Sequence, residues 1–154
     1  MSKEELYISI LSFKEVSEKG INFKEGVLHF GGQFGDQVCS SSNDTPVSGL
    51  VYEVDTSTDD PQLSYYCSYV AGYETGELVK FYPNGSVKER ITMLEGSRHG
   101  SSVGYFLSGE LQYESTHQFG VLTSRQEWDT QGTLVSEISS PTVEGQAIIN
   151  RSTH

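Results

Sequence analysis

Phe81-Tyr82-Pro83-Asn84-Gly85-Ser86-Val87-Lys88-Glu89-Arg90-Ile91-Thr92-Met93-Leu94-Glu95-Gly96-Ser97-Arg98-His99-Gly100 reads as one unit of strand, tight turn, strand and glycine loop. Asn84 and Gly85 supply the positive φ that a hairpin turn needs. Beyond the turn the chain alternates. Val87, Glu89, Ile91 and Met93 fall on one side, and Lys88, Arg90 and Thr92 on the other. Period two is the mark of a half-buried strand. The loop from Glu95 to Gly100 then reverses the chain, and its two glycines admit backbone conformations closed to other residues.

The unit recurs. Gly72, Gly96 and Gly120 stand 24 residues apart, and Gly76 and Gly100 repeat the step with Ser124 in third place. Leu63, Val87, Leu111 and Leu134 form a further column, and turn glycines Gly85, Gly109 and Gly132 another. An aromatic precedes each of these turns: Phe81, Tyr105 and Trp128. Columns sharing one period define a repeat architecture. The spacing predicts four hairpins, over 50–71, 78–94, 102–119 and 126–138. The first has a lengthened turn, from Asp55 to Gln62, with Asp59-Asp60-Pro61 in place of Asn-Gly. A lone hairpin is marginal in water, so the units are expected to stack edge to edge. The predicted fold is all-β, an elongated twisted antiparallel sheet of consecutive hairpins in a single domain spanning 1–154.

Repeat arrays need atypical ends, and residues 1–48 fit an N-terminal cap and loop. Tyr7 to Phe13 reads as a strand, and Gly26 to Phe30 as another. Ser2 to Glu5 could instead cap a short helix, and the residues do not choose between these readings. Residues 31–48, rich in Gly, Ser, Asn and Asp, read as a loop. The stretch 139–154 reads as a polar tail, with Ala147-Ile148-Ile149 a candidate last edge strand.

Nine Tyr and seven Phe argue against disorder in the body of the chain, since disordered segments are poor in aromatics. The formal net charge is −11. Between Lys24 and Lys80 there are nine carboxylates and neither Lys nor Arg. Such a field repels nucleic acid and anionic lipid and attracts basic proteins. The first residues are charged, and no apolar run reaches the length of a signal segment or a membrane span, so a cytoplasmic location is expected. Cys39 and Cys67 then read as packing thiols rather than a disulfide or a metal pair.

The stretch Tyr82-Pro83-Asn84-Gly85-Ser86-Val87-Lys88-Glu89, followed by Leu94-Glu95-Gly96-Ser97-Arg98-His99-Gly100, resembles the bacterial variant of the MORN repeat (membrane occupation and recognition nexus). Gly26 to Phe30, with Thr45-Pro46-Val47-Ser48-Gly49-Leu50-Val51-Tyr52, is similar to the lead-in of the same proteins. The resemblance covers about residues 23–138. It departs from the pattern at Ser124 and in the acidic first turn. It implies an antitoxin or immunity protein that neutralises a cognate bacterial toxin, such as a nuclease, by direct binding. The alternative it leaves is a scaffold or membrane-associated interaction module, and a third reading is a module docking to a larger secretion machine.

No constellation points to catalysis, and no cofactor or metal is expected. His29, His99, His117 and His154 lack metal-ligand spacing, and no nucleophile elbow, phosphate loop or dinucleotide fingerprint occurs. His99 reads as a turn residue. The partner expected is a basic toxin domain rather than nucleic acid or a membrane, and the sequence leaves the oligomeric state open. The candidate binding residues lie in 50–77. Glu53, Asp55, Asp59, Asp60, Glu74 and Glu77 supply the field, and Tyr66 and Tyr73 the exposed aromatic anchors. Tyr65 and Tyr69, on the Leu63 side, are expected in the core.

Overall fold

The computed structural model describes residues 9–24 and 27–153. The repeat unit builds the sheet. Its two strands are β6 (Tyr73–Phe81) and β7 (Val87–Leu94); β8 (Ser97–Tyr105) and β9 (Leu111–Gln118) form the next unit, and β10 (Val121–Trp128) and β11 (Leu134–Ile138) the last. Ahead of them stands the hairpin of β4 (Gly49–Asp55) and β5 (Gln62–Val70). These eight strands pair in sequence order, each antiparallel to the next, and β1 (Ile21–Asn22) joins β4 in parallel. The result is an all-β architecture around an open nine-stranded sheet, about 38 Å across at the usual strand spacing.

Two turn types alternate along it. Tyr82, Phe106 and Asp129 each open a turn closed by the amide of the glycine three residues on, at 2.9–3.0 Å. Only the glycine has positive φ there (Gly85 86°, Gly109 94°, Gly132 80°). Asn84 therefore does not share the positive φ expected of the pair; its side chain accepts from the Ser86 amide at 2.9 Å. The positive pairs sit at the other end of the strands: Ala71-Gly72, Glu95-Gly96 and Phe119-Gly120, with φ of 48–50° and then 80–84°. Two such residues in succession make the tight turn whose twist suits a hairpin. The loop expected over Glu95–Gly100 thus shrinks to two residues, and β6, β8 and β10 begin about five residues before the sequence-based bounds. Gly96 and Gly120 donate their amides to Glu74 O and Arg98 O, each at 2.9 Å, so every turn is tied to the preceding unit. His99, expected in that loop as a turn residue, lies instead in β8, and its Nδ1 accepts from the Phe119 amide of the next turn at 3.1 Å.

Strict alternation fails at regular places. Register shifts fall early in β5, β7, β9 and β11, where Ser64, Lys88, Gln112 and Val135 are extra residues. Each bulge returns the chain to the same face. Val87 therefore lies across from Phe81, while Arg90 joins the face of Val79 and Val103 and is buried rather than solvated. A second bulge lies in β6 and in β8, where two extra residues surround Gly76 (φ 99°) and Gly100 (φ 102°). In β10, Ser124 replaces that glycine and the bulge contracts to one extra residue.

Both faces of the first strands are covered. Helix α1 (Phe13–Lys19) is closed by a capping box, in which Ser12 Oγ accepts from the Glu15 amide at 3.2 Å and Glu15 accepts from the Ser12 amide at 2.8 Å. It buries Val16 against Tyr52, Leu63, Tyr66 and Val79. Its presence corrects the strand expected over Tyr7–Phe13, because the local capping pair dictates a helix from Phe13; the part at Tyr7 and Ile8, and the capping segment Ser2–Glu5, lie outside the described residues. The opposite face carries the hairpin of β2 (Leu28–Gly31) and β3 (Gln37–Ser40), packing Leu28 and Val38 on Val51, Cys67 and Tyr69. β3 falls inside the expected loop, since Val38 and Cys39 are apolar enough to fold back on the sheet. Cys39 and Cys67 are free and buried, as their reading as packing thiols requires.

The candidate edge strand Ala147-Ile148-Ile149 lies instead in a helix. Pro141 ends the array, and Thr142 Oγ1 accepts from the Gly145 amide at 3.0 Å to start α2 (Val143–Ser152). A Cβ on Gly145 would come within 2.7 Å of Val121, so the helix backbone rests on β10. Register places Val121 with Glu114 and Thr116, on the face that carries α1.

Candidate interaction surface

The face shared by α1 and α2 is called here the helix face. Between the helices lies an open cleft of about 790 Å³. On strand after strand it is bounded by residues two apart (Arg90 and Thr92, Ser101 and Val103, Glu114 and Thr116, Ser124 and Gln126). Register puts all of these on the helix face, so the residues between them contribute backbone only.

One transverse row decides the electrostatics. Following the ladder across the sheet, it runs Tyr66, Val79, Arg90, Val103, Glu114, Gln126 and Glu137. Arg90 is 8% exposed, and its Nε donates to Glu77 from the neighbouring strand. Burial alone would depress the guanidinium, but the Glu77 carboxylate outweighs it and holds the group in its charged form. At the place of Glu77 the next two units carry Ser101 and Ser124. Half-buried Glu114 has no ion pair or hydrogen-bonded side chain among the described residues, and Glu137 accepts only from Gln126 Nε2, at 3.3 Å. The first repeat thus pairs its buried charge internally, while in the later two no cation among the described residues pairs with the carboxylates.

A second row on the same face is apolar. Phe81 with Val87, Tyr105 with Leu111, and Trp128 with Leu134 are cross-strand pairs at successive two-strand steps. They continue the core pair Val54–Leu63 out from under α1. Trp128 and Leu111 border a further cavity of about 430 Å³.

The structure separates most of the residues singled out from sequence. Asp55, Asp59 and Asp60 sit in or beside the exposed first turn, where Ser57 hydrogen bonds hold the Asp55 carboxyl below its ordinary range. Tyr73 and Glu74 lie at the far end of the strands; Tyr73 donates to Asp36 at 3.1 Å, and Glu74 accepts from Tyr69 at 3.2 Å. Glu53 and Glu74 point to the face opposite the cleft, and Glu77 alone lines it. Tyr66 is a correction. The bulge at Ser64 turns it inward, it is 6% exposed in the α1 cluster, and its hydroxyl accepts from the Leu11 amide at 3.0 Å. Tyr69 is buried as expected, whereas Tyr65 is only half-buried. Glu114, Glu137 and Trp128 escaped a search confined to the base-free stretch. The signal that could have found them is the column Tyr66, Arg90, Glu114, Glu137, whose chemistry changes while its period persists.

Among the described residues no three His, Cys, Asp or Glu side chains cluster as a metal site, and no helix is long and apolar enough to cross a membrane. Comparison of the chain with protein-family models, curated proteins and solved structures gives no match.

Proposed function

We propose that this chain is a protein-binding module of the immunity-protein or antitoxin type, acting in the cytoplasm by occluding a basic toxin domain. The MORN-like repeat pattern suggests the class. One observation carries the reading: an open sheet face between two helices, where unmatched carboxylates lie beside an apolar row that includes Trp128. An excess of carboxylates along an open cleft accelerates encounter with a basic partner, and neighbouring aromatics supply anchors.

The test is co-purification of the full chain with the toxin domain encoded beside it. The expected complex weakens steeply as salt rises. Replacing Asp55, Asp59 and Asp60 together by Asn slows association at low salt by about tenfold. Unchanged binding by that variant would remove the acidic field from the explanation. Strong co-sedimentation with anionic vesicles would favour the membrane-associated alternative.

A further inference from the structure

We infer that the helix face receives a basic amphipathic α-helix of the partner, laid across the strands with cationic side chains two helical turns apart over Glu114 and Glu137. The inference rests on the binding role proposed above and specifies its geometry.

The row of Glu114 and the row of Trp128 share one step. Arg90, Glu114 and Glu137 occur on β7, β9 and β11, as do Val87, Leu111 and Leu134. Two strand spacings amount to about 9.6 Å. Seven residues of α-helix rise about 10.5 Å. A helix crossing the strands therefore meets a carboxylate at each heptad, with position i+3 turned to the side of the apolar pairs Tyr105–Leu111 and Trp128–Leu134.

The protein already contains the contact such a helix would make. Arg90, in this row, is held by Glu77 from the next row on the same face, so the face accommodates a guanidinium against a carboxylate at that depth. The following two units carry Ser101 and Ser124 at the place of Glu77 and a carboxylate, Glu114 or Glu137, at the place of Arg90, with no cation paired to it among the described residues. A partner Arg or Lys restores the pairing, and Glu114, half-buried beside Val103, gains most from it. An extended segment crossing the strands would leave its own backbone groups unpaired over the sheet, whereas a helix satisfies them internally. Helix on sheet is also how this face is covered at both ends, by α1 and α2.

The test uses the full chain and synthetic helical peptides, with Trp128, the sole tryptophan, as fluorescent reporter. One peptide carries Arg at i and i+7 with Leu at i+3 and i+10. Its control has the same composition with Arg at i and i+4. The first is expected to bind about tenfold more tightly and to shift Trp128 emission. The double variant Glu114→Gln/Glu137→Gln, both at solvent-accessible positions, should fold normally and lose that preference. Equal affinity for the two peptides, no binding of either, or an unaffected double variant would overturn this docking mode. Toxin co-purification is an independent readout, so a toxin complex that persists in the double variant sinks the helix geometry alone, while no toxin complex with the native chain sinks the binding role.

Discussion

At the level of single residues, the informative side chains are polar groups that the sheet encloses. His117 lies across from Gly100, and its Nδ1, like the hydroxyls of the facing pair Ser102 and Ser115, is buried without a hydrogen-bond partner among the described residues. Burial, then Arg98 and Arg125, hold the imidazole below its ordinary value. The folded protein keeps it neutral, so above the ordinary histidine value neither state carries the proton. As pH falls through that value the unfolded chain takes up the proton first, and stability is lost. Urea unfolding should show a midpoint that drops from pH 7.5 to pH 5.5, and His117→Gln should flatten that dependence; an identical slope in the variant would refute the assignment. At the alkaline end, burial raises the Cys67 thiol and the Tyr65 and Tyr113 hydroxyls to about 12. Their contribution is present below the ordinary values and disappears as pH rises toward 12.

The elements show how a repeat tolerates substitution unevenly. Gly104 stands where β6 has Lys80 and β10 has Glu127, and it faces Tyr113 across the ladder. The Tyr113 ring lies over it so closely that a Cβ would fall 2.1 Å from Cε1. The same ring donates to Glu89 at 2.8 Å and carries the Arg125 guanidinium 4.0 Å from its centroid. Gly104→Ala should therefore cost about 2 kcal/mol by expelling the ring from this stack, measured by denaturant unfolding at neutral pH. A smaller change at Gly109, where a Cβ meets nothing within 4 Å, would reflect only its positive φ of 94°. Strand type and hairpin order were legible from the glycine columns, because tight turns need glycine whatever surrounds them. The bulges at Ser64, Lys88, Gln112 and Val135 were not, because no residue type marks an extra residue at the start of a strand. That single omission misplaced both Tyr66 and Arg90.

Across the whole molecule, repulsion among carboxylates outweighs the few ion pairs. The net charge is −11 and the stretch from Glu25 to Val79 holds neither Lys nor Arg, while among the described residues Arg90–Glu77 is the one ion pair whose basic member is buried. Screening should therefore stabilise the fold. Raising NaCl from about 20 mM to about 300 mM is expected to raise Tm by a few degrees. A fall would mean that salt bridges dominate instead. The same salt weakens partner binding, so stability and affinity should move in opposite directions on one titration axis.

The sequence by itself determined the all-β class, the order of the hairpins and the excess of acid, because these follow from local backbone demands and from composition. The C-terminal helix and the β2–β3 hairpin depended on tertiary structure, since Ile149 and Val38 bury only when the sheet is there to receive them. The interaction surface belongs with these. Bulges set the face each side chain takes, and only pairing across strands brings Arg90, Glu114 and Glu137, residues 23 and 24 apart in the chain, into one row that repeats at the step of two helical turns.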